Sequence, residues 1–450
     1  MLAIVVSRAD EASEHVGEHL LELGDWTEST DDSRPDSDGG GTVYRTDGTE
    51  LREVDGLHLE LDGVAAAFDD PDLLVFASRH AGETDELLTA HHTGNFGAAE
   101  FGGADGSFAR ACPNAHRRVV EALTEYAPDG YEVGMECTHH GPTDVGVPSM
   151  FVEVGSAEPQ WRDPDAAEAV ARAILALDGV APDTPREDGS RRQLLGIGGG
   201  HYAPRFERVI RETDWAVGHV AADWCLDDLD EWAEDDQQRR AVLRRAAEAS
   251  GADFALFEGD RPTIAADLEA VGVRVVEETF VRETTSVPLD RVAALEADLT
   301  TVGEGVRFGD RASGAEDWSV VDLPADLLTE VSGIDDEATR ERVERATLAF
   351  VTEQNGTVVT GPFAVPADAG RGPLVDALRG ILETKYDSVT REGSELVARE
   401  TAFDPSLAET AGIPEGPKFG RLAAGEPVEV DGEQIGPERF QRERIRRFEL

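Results

Sequence analysis

Short apolar runs alternate with stretches of helical periodicity from the amino terminus to about Arg282. Leu2–Ser7, Leu73–Ser78, Tyr131–Cys137, Met150–Val154, Gln193–Ile197, Trp215–Val220, Phe254–Glu258 and Val273–Thr279 read as strands. Glu11–Leu23, Ala115–Tyr126, Asp165–Leu177 and Arg239–Ser250 read as helices. Such alternation predicts an α/β domain built on a largely central sheet. Asp25–Asp55 is polar, acidic and glycine-rich, which predicts a solvent-facing insertion, and a second one is expected near Ala181–Arg191. Beyond about Arg282 the texture changes. Fewer segments look like buried strands, and acidic helices are expected at Asp290–Leu299 and Asp335–Glu344. A boundary between Arg282 and Pro288 therefore divides a domain over residues 1–282 from a smaller α+β module over 288–450, with no internal repeat.

Composition changes this picture mainly through charge. The 450 residues carry 93 Asp and Glu against 41 Lys and Arg, a formal net charge of -52, yet 40% are hydrophobic. A chain that can bury this much apolar surface is not read as disordered. The only lysines are Lys385 and Lys418, and the acid is spread over the whole length, as expected of a protein solvated in concentrated salt. Acidic proteins normally repel nucleic acid. At about 1 M salt the Debye length is roughly 3 Å, so only local contacts then count. Cys112, Cys137 and Cys225 have no Cys-x-x-Cys spacing, which argues for a reducing compartment. The first apolar run is too short for a signal peptide, and no stretch approaches the roughly 20 apolar residues of a membrane span. A cytoplasmic protein without membrane association is expected, with a monomer favoured.

Candidate chemistry lies mostly in histidines that follow expected strands: His80, the His91-His92-Thr93-Gly94-Asn95 loop, His139 and His140, His201 and His219. Ligands bind open α/β sheets beyond the carboxyl ends of strands, so these loops could share one pocket. Glu136-Cys137-Thr138-His139-His140 offers a carboxylate, a thiol and two imidazoles, the donors zinc prefers. If extended, the segment sends Glu136, Thr138 and His140 to one side and Cys137 with His139 to the other. A strand end whose histidines merely hydrogen-bond nearby loops is the alternative. Gly198-Gly199-Gly200 before His201 and Pro204 reads as a glycine turn feeding a helix amino terminus, able to hold a phosphate or an oxyanion, or simply a tight connection. His92 beside Asn95 pairs a base with an amide that can steady a carbonyl oxygen. His15, His19, His58 and His116 read as surface or packing residues, and Cys112 and Cys225 as buried apolar groups.

Together, Ser78-Arg79-His80, the His92–Asn95 loop, Glu136 through Thr143, Gly198 through Phe206 and Gly218-His219 resemble the archaeal and plant family of D-aminoacyl-tRNA deacylases, in order and spacing over about residues 1–280. The resemblance implies a mixed central sheet flanked by helices, similar to peptidyl-tRNA hydrolases and nucleoside phosphorylases. It also implies a zinc-dependent esterase acting on tRNA that carries a D-amino acid. On this reading His80, His139, His140, His219 and Glu136 are the metal-ligand candidates, for one zinc ion or two per subunit. His140, Glu136, His201, His92 and Asn95 are the catalytic candidates, and Arg79, Thr138, Tyr202 and Gly198–Gly200 the substrate-binding ones. The carboxyl-terminal region departs from compact family members. Gly412 through Leu422, Gly425-Glu426-Pro427 and Gly436-Pro437 look like a Gly-Pro segment of the tRNase Z family, and Lys418, Arg421, Arg439, Arg442, Arg444, Arg446 and Arg447 make this the most basic stretch, suited to phosphate contact.

The expected mechanism is zinc-activated water, its pKa lowered to about 7, attacking the ester. The glycine turn or Asn95 would steady the oxyanion. One rival is a metal-free site with His92 as base and Asn95 as oxyanion support. Another is a nucleoside or phosphate binder that holds its ligand on the glycine turn and performs no hydrolysis.

Overall fold

A computed structural model describes the whole chain except residues 188 and 431; residue 188, in the second expected insertion, lies outside the described residues. The chain forms two compact units, Met1–Thr285 and Ser286–Leu450. The first runs β1 (Leu2–Ser7), α1 (Glu11–Leu23), β2 (Thr27–Asp31), β3 (Gly41–Arg45), β4 (Thr49–Val54), β5 (Leu73–Arg79), β6 (Leu87–His91), α2 (Pro113–Tyr126), β7 (Glu132–Met135), β8 (Ser149–Gly155), α3 (Glu158–Trp161) and α4 (Pro164–Leu175). A small hairpin, β9 (Arg186–Glu187) and β10 (Ser190–Arg191), then leads into β11 (Gln193–Ile197), α5 (Pro204–Glu212), β12 (Ala216–Ala221), α6 (Asp223–Trp232), α7 (Asp236–Ser250), β13 (Phe254–Phe257), α8 (Pro262–Ala270), β14 (Arg274–Val276) and α9 (Glu278–Glu283).

The unit is α/β, with an eight-stranded mixed sheet in the order β2-β3-β4-β1-β5-β8-β6-β7 and a second sheet, β12-β11-β13-β14, that is wholly parallel. Strands β4, β1, β5 and β8 run parallel, and β6 runs against β8. β1, β5 and β8 lie inside the large sheet, which is why they read as nearly unbroken apolar runs. Asp10 caps α1 by accepting from the amides of Ala12 and Ser13, and Val16 and Leu20 bury the helix's apolar stripe.

Two expectations need correction. The acidic segment Asp25–Asp55 faces solvent only in part: it supplies β2, which is exposed, β3, and β4, which is buried and pairs with β1 in the sheet. Its charges hide a buried strand because they neutralise one another. Glu50 accepts from Arg52 Nε at 2.6 Å and Arg45 Nε at 2.9 Å, while Arg52 reaches Asp31 at 2.7 Å. The strand expected over Val273–Thr279 stops at Val276, and α9 begins at Glu278.

The second unit is α+β. Its four-stranded antiparallel sheet has the order Val306–Phe308, Ala349–Glu353, Val358–Pro366, Trp318–Val321, and Glu395–Phe403 pairs with both Ser388–Glu392 and Gln441–Glu449. These strands bury more than their sequence promises: Phe350, Phe363, Val365 and Phe448 join Leu327 and Leu378 in one core. Much of the basic stretch is matched internally. Arg421 pairs with Glu426 at 3.1 Å, Arg442 with Asp404 at 3.2 Å, Arg447 with Glu395 at 2.7 Å, and Arg446 with Glu330. Among the described residues no helix is long and apolar enough to cross a membrane.

Candidate active site

β7 ends at Met135, and the chain beyond it is zipped to two neighbours. The Cys137 amide donates to His201 O at 2.8 Å, the Ala203 amide to Met135 O at 3.0 Å, and the Thr138 amide to Val220 O at 2.8 Å. Glu136 to Thr138 is therefore held between the loop after β11 and the edge of β12. His140 then adopts φ 47°, a left-handed conformation that His tolerates better than most residues. This break in the alternation overturns the expected division of side chains. The rings of His139 and His140 come together, centroids 4.4 Å apart, and both meet His91 at the end of β6, at 4.3 and 4.9 Å.

These three imidazoles are presented alike. Nδ1 of His91 lies 3.2 Å from His92 O, Nδ1 of His139 2.9 Å from Cys137 O, and Nδ1 of His140 2.7 Å from Gly141 O. A carbonyl can only accept, so each Nδ1 carries a proton and each Nε2 is the nitrogen left for the cluster. One nitrogen from each ring lies within 4.8 Å of the others. Fixing the tautomer through the far nitrogen is how proteins prepare histidine to bind a metal.

Two carboxylates complete the cluster. Glu153, in the middle of β8, places its oxygens 3.5 Å from His80 Nδ1 and 3.7 Å from His91 Nε2. Glu136 accepts from His201 Nε2 at 2.7 Å and lies 3.2 Å from His80 Nδ1. Burial alone would push both acids up, but the surrounding imidazoles hold both well down. Burial likewise opposes charge on His80, and Glu136 and Glu153 reverse that effect and raise it. In contrast, His140 is pushed down, by burial and by His139 and His91. Glu136 Oε1 and His91 Nε2 are buried without a hydrogen-bond partner among the described residues. Two buried carboxylates packed among imidazoles, with polar atoms left unmatched among the described residues, form a donor set that can hold a cation. Nitrogen and carboxylate donors, with the Cys137 thiol near His139 and His201, fit a zinc-type cation.

The cluster opens into a cavity of about 810 Å³. It lies over the face of the sheet at β8 and not only beyond strand ends, since Phe151 and Glu153, two residues apart and therefore on one side, both line it. His80, His139, His140 and His201 line it too, with Arg79, Thr138 and Asn95. Tyr202 acts from behind, its hydroxyl 2.9 Å from His80 Nε2.

Other sequence-derived candidates are placed elsewhere or engaged otherwise. His92 is buried with both nitrogens in use, Nε2 accepting from the Cys112 amide at 3.2 Å and Nδ1 against Gly218 O at 3.1 Å, so it has no nitrogen for base catalysis. His219 is likewise closed, between Thr138 Oγ1 at 3.0 Å and Ala109 O at 2.9 Å, and cannot ligate. Asn95 gives its amide hydrogens to Gly102 O and Ala104 O and has none for an oxyanion. The Gly198–Gly200 turn is absent from the cavity lining. The Gly198 amide donates to Ala221 O, and a Cβ on Gly199 would stand 2.8 Å from the carboxylate of Glu258, a poor neighbour for an anion. The metal-free and phosphate-cradle readings both lose their residues here.

Sequence reasoning named His91 only as part of its loop and missed Glu153. A lone glutamate within the apolar run Met150–Val154 was a usable signal, because a charge inside a buried strand needs a partner. His58 is buried at the cavity wall, its Nε2 3.4 Å from Ser13 Oγ.

A mixed α/β sheet that gathers buried carboxylates and tautomer-fixed imidazoles at one cavity defines a hydrolase-type centre. Residues 67–276 match the family model described as D-aminoacyl-tRNA deacylase. The chain is 66% identical to the D-aminoacyl-tRNA deacylase of Haloarcula marismortui and 53% identical to that of Natronomonas pharaonis, each match covering 100% of both chains. A crystal structure titled as a conserved protein of unknown function aligns with a TM-score of 0.54 at 28% identity, over 63% of this chain and 98% of that one. The chain belongs to the D-aminoacyl-tRNA deacylase family.

Proposed function

We propose that this protein hydrolyses the ester between a D-amino acid and tRNA, releasing both, at the cavity over β8 in the first unit, and that it works in the cytoplasm where charged tRNA is found. The observation that carries the reading is the set His91, His139 and His140, each with Nδ1 bound to a backbone carbonyl, beside buried Glu136 and Glu153. Those three imidazoles would hold a zinc ion, and His80, Glu136 and His201 form a second group of donors. A cation so held supplies Lewis acidity at the ester carbonyl and lowers the pKa of water.

The chain's own side chains carry the rest. His201 lines the cavity and is the most exposed member of the cluster, with 37% of its side chain open. With Nε2 held by Glu136, it can pass a proton from Nδ1 to the departing ribose oxygen. Tyr202 fixes His80, which in turn orients Glu136 and Glu153. Among the described residues Arg79 is the only arginine lining the cavity, and it is the natural contact for the aminoacyl ester's oxygen-rich end. Phe151 and the sheet beneath exclude bulk water from the floor.

Incubation of tag-free protein with D- and L-aminoacyl-tRNA tests the proposal. Hydrolysis of the D ester with at least one equivalent of zinc is expected. Equal inertness toward both substrates would remove the activity, and chelator-resistant hydrolysis would remove the metal.

A further inference from the structure

Among the described residues, five large apolar side chains are exposed: Leu57, Phe101, Trp224, Val320 and Ile445. The first three line the cavity, at 37%, 67% and 44% exposure. A very acidic surface that still gathers exposed apolar groups at one mouth has a use for them. Their positions are fixed by backbone. Phe101 O accepts from the Gly141 amide at 2.9 Å, and Asn95 Nδ2 donates to Gly102 O at 3.0 Å, so the loop bearing Phe101 is tied to the catalytic segment. Gly97 approaches α6 so closely that a Cβ would stand 3.0 Å from Asp228 O, which brings Trp224 to the same rim.

α6 has two faces. Asp223 and Asp227 pair with Arg261 at 2.8 and 3.1 Å. Trp224, Asp228 and Glu231, spaced i, i+4 and i+7 and so aligned along one side, line the cavity, and neither carboxylate has a cationic partner among the described residues. Acceptor-only groups beside an aromatic face repel phosphate and attract N–H and O–H donors. A nucleoside offers both surfaces, a π face to stack and amino or hydroxyl hydrogens to donate. A cavity of about 810 Å³ also exceeds what one aminoacyl group fills.

Resting on the deacylase reading above, we infer that the Trp224–Phe101 rim with Asp228 and Glu231 is the subsite for the terminal nucleoside that carries the ester. The unstacked base lies on Trp224, its donors meet the two carboxylates, and the phosphates stay outside the rim. The acid composition thus acts locally as selection for the uncharged end of the RNA.

The test uses full-length protein, D-tyrosyl-tRNA as substrate, and adenosine and ribose 5-phosphate as probes. Adenosine should compete with substrate in the wild type while ribose 5-phosphate does not. Trp224→Ala should raise KM at least tenfold, more than it lowers kcat, and abolish competition by adenosine; Trp224→Phe should restore most of both, and Asp228→Asn should weaken adenosine alone. An unchanged KM in Trp224→Ala, or equal competition by the two probes, overturns the subsite. Wild type that cleaves no D-aminoacyl-tRNA overturns the deacylase reading instead, and equilibrium dialysis with adenosine then judges the rim by itself: binding lost in Trp224→Ala upholds it, and no binding by wild type overturns it.

Discussion

His201 Nε2 lies 2.7 Å from Glu136 Oε2, while the other oxygen of the same carboxylate is buried without a hydrogen-bond partner among the described residues. One oxygen therefore orients His201 and its twin lies 3.2 Å from His80 Nδ1, so that Glu136 with these two imidazoles forms a donor group that can take a cation. Glu136→Gln keeps the shape and removes the charge. It is expected to lower kcat/KM by about 10²–10⁴-fold and to reduce bound zinc in the same samples. Steady-state deacylation alongside metal analysis checks both effects, and near-wild-type values for either would contradict the dual role.

Neighbouring histidines should behave oppositely. His91 turns its Nε2 to the cluster, 3.7 Å from Glu153, whereas both nitrogens of His92 are hydrogen-bonded elsewhere in the protein. His91→Gln, which keeps most of the buried volume, should lose deacylation at least a hundredfold. His92→Gln should unfold more easily, by about 1–3 kcal/mol for broken buried hydrogen bonds, yet keep activity within a few fold in its folded fraction. Thermal melts and rates on both variants decide the matter, and a reversed pattern would mean that the wrong ring has been placed in the centre.

The glycine turn is predicted to matter for folding and not for chemistry. Gly198 has φ 92°, and a Cβ there would stand 2.0 Å from Glu258 O. Gly198→Ala should therefore reduce the yield of folded protein, while whatever folds hydrolyses substrate with an unchanged kcat. A folded variant with a hundredfold lower kcat would return the turn to the oxyanion.

Burial lowers the His58 pKa to about 4, against about 6.5 when unfolded. Between those values the unfolded chain binds the extra proton, so stability rises with pH across roughly 4 to 6.5, and the contribution is complete above that window. One such proton corresponds to at most about 1.4 kcal/mol per pH unit. Denaturant titrations at several pH values should show a shallower acid slope for His58→Gln than for wild type. Parallel slopes would mean that His58 is protonated in the folded state.

Particular residues show how much of this was legible in the sequence. β11 and α1 were read residue for residue, because a buried parallel strand is a continuous apolar run and α1 has an Asp cap. β4 was not, because Glu50 and Arg52 are neutralised only in three dimensions by Arg45 and Asp31. His80, Glu136, His139, His140 and His201 were singled out and do cluster, the four histidines lining one cavity with Glu136 buried behind them. The choice between His91 and His92 depended on which way β6 faces, and that is fixed by pairing with β8. Glu153 was passed over because its neighbours are apolar, although that contrast was itself the clue.

Anomalous diffraction at the zinc edge from crystals of active, tag-free protein tests the central claim most directly. The account predicts a peak at bonding distance, about 2.0–2.1 Å, from one nitrogen each of His91, His139 and His140. Active crystals with no peak at that position would contradict it.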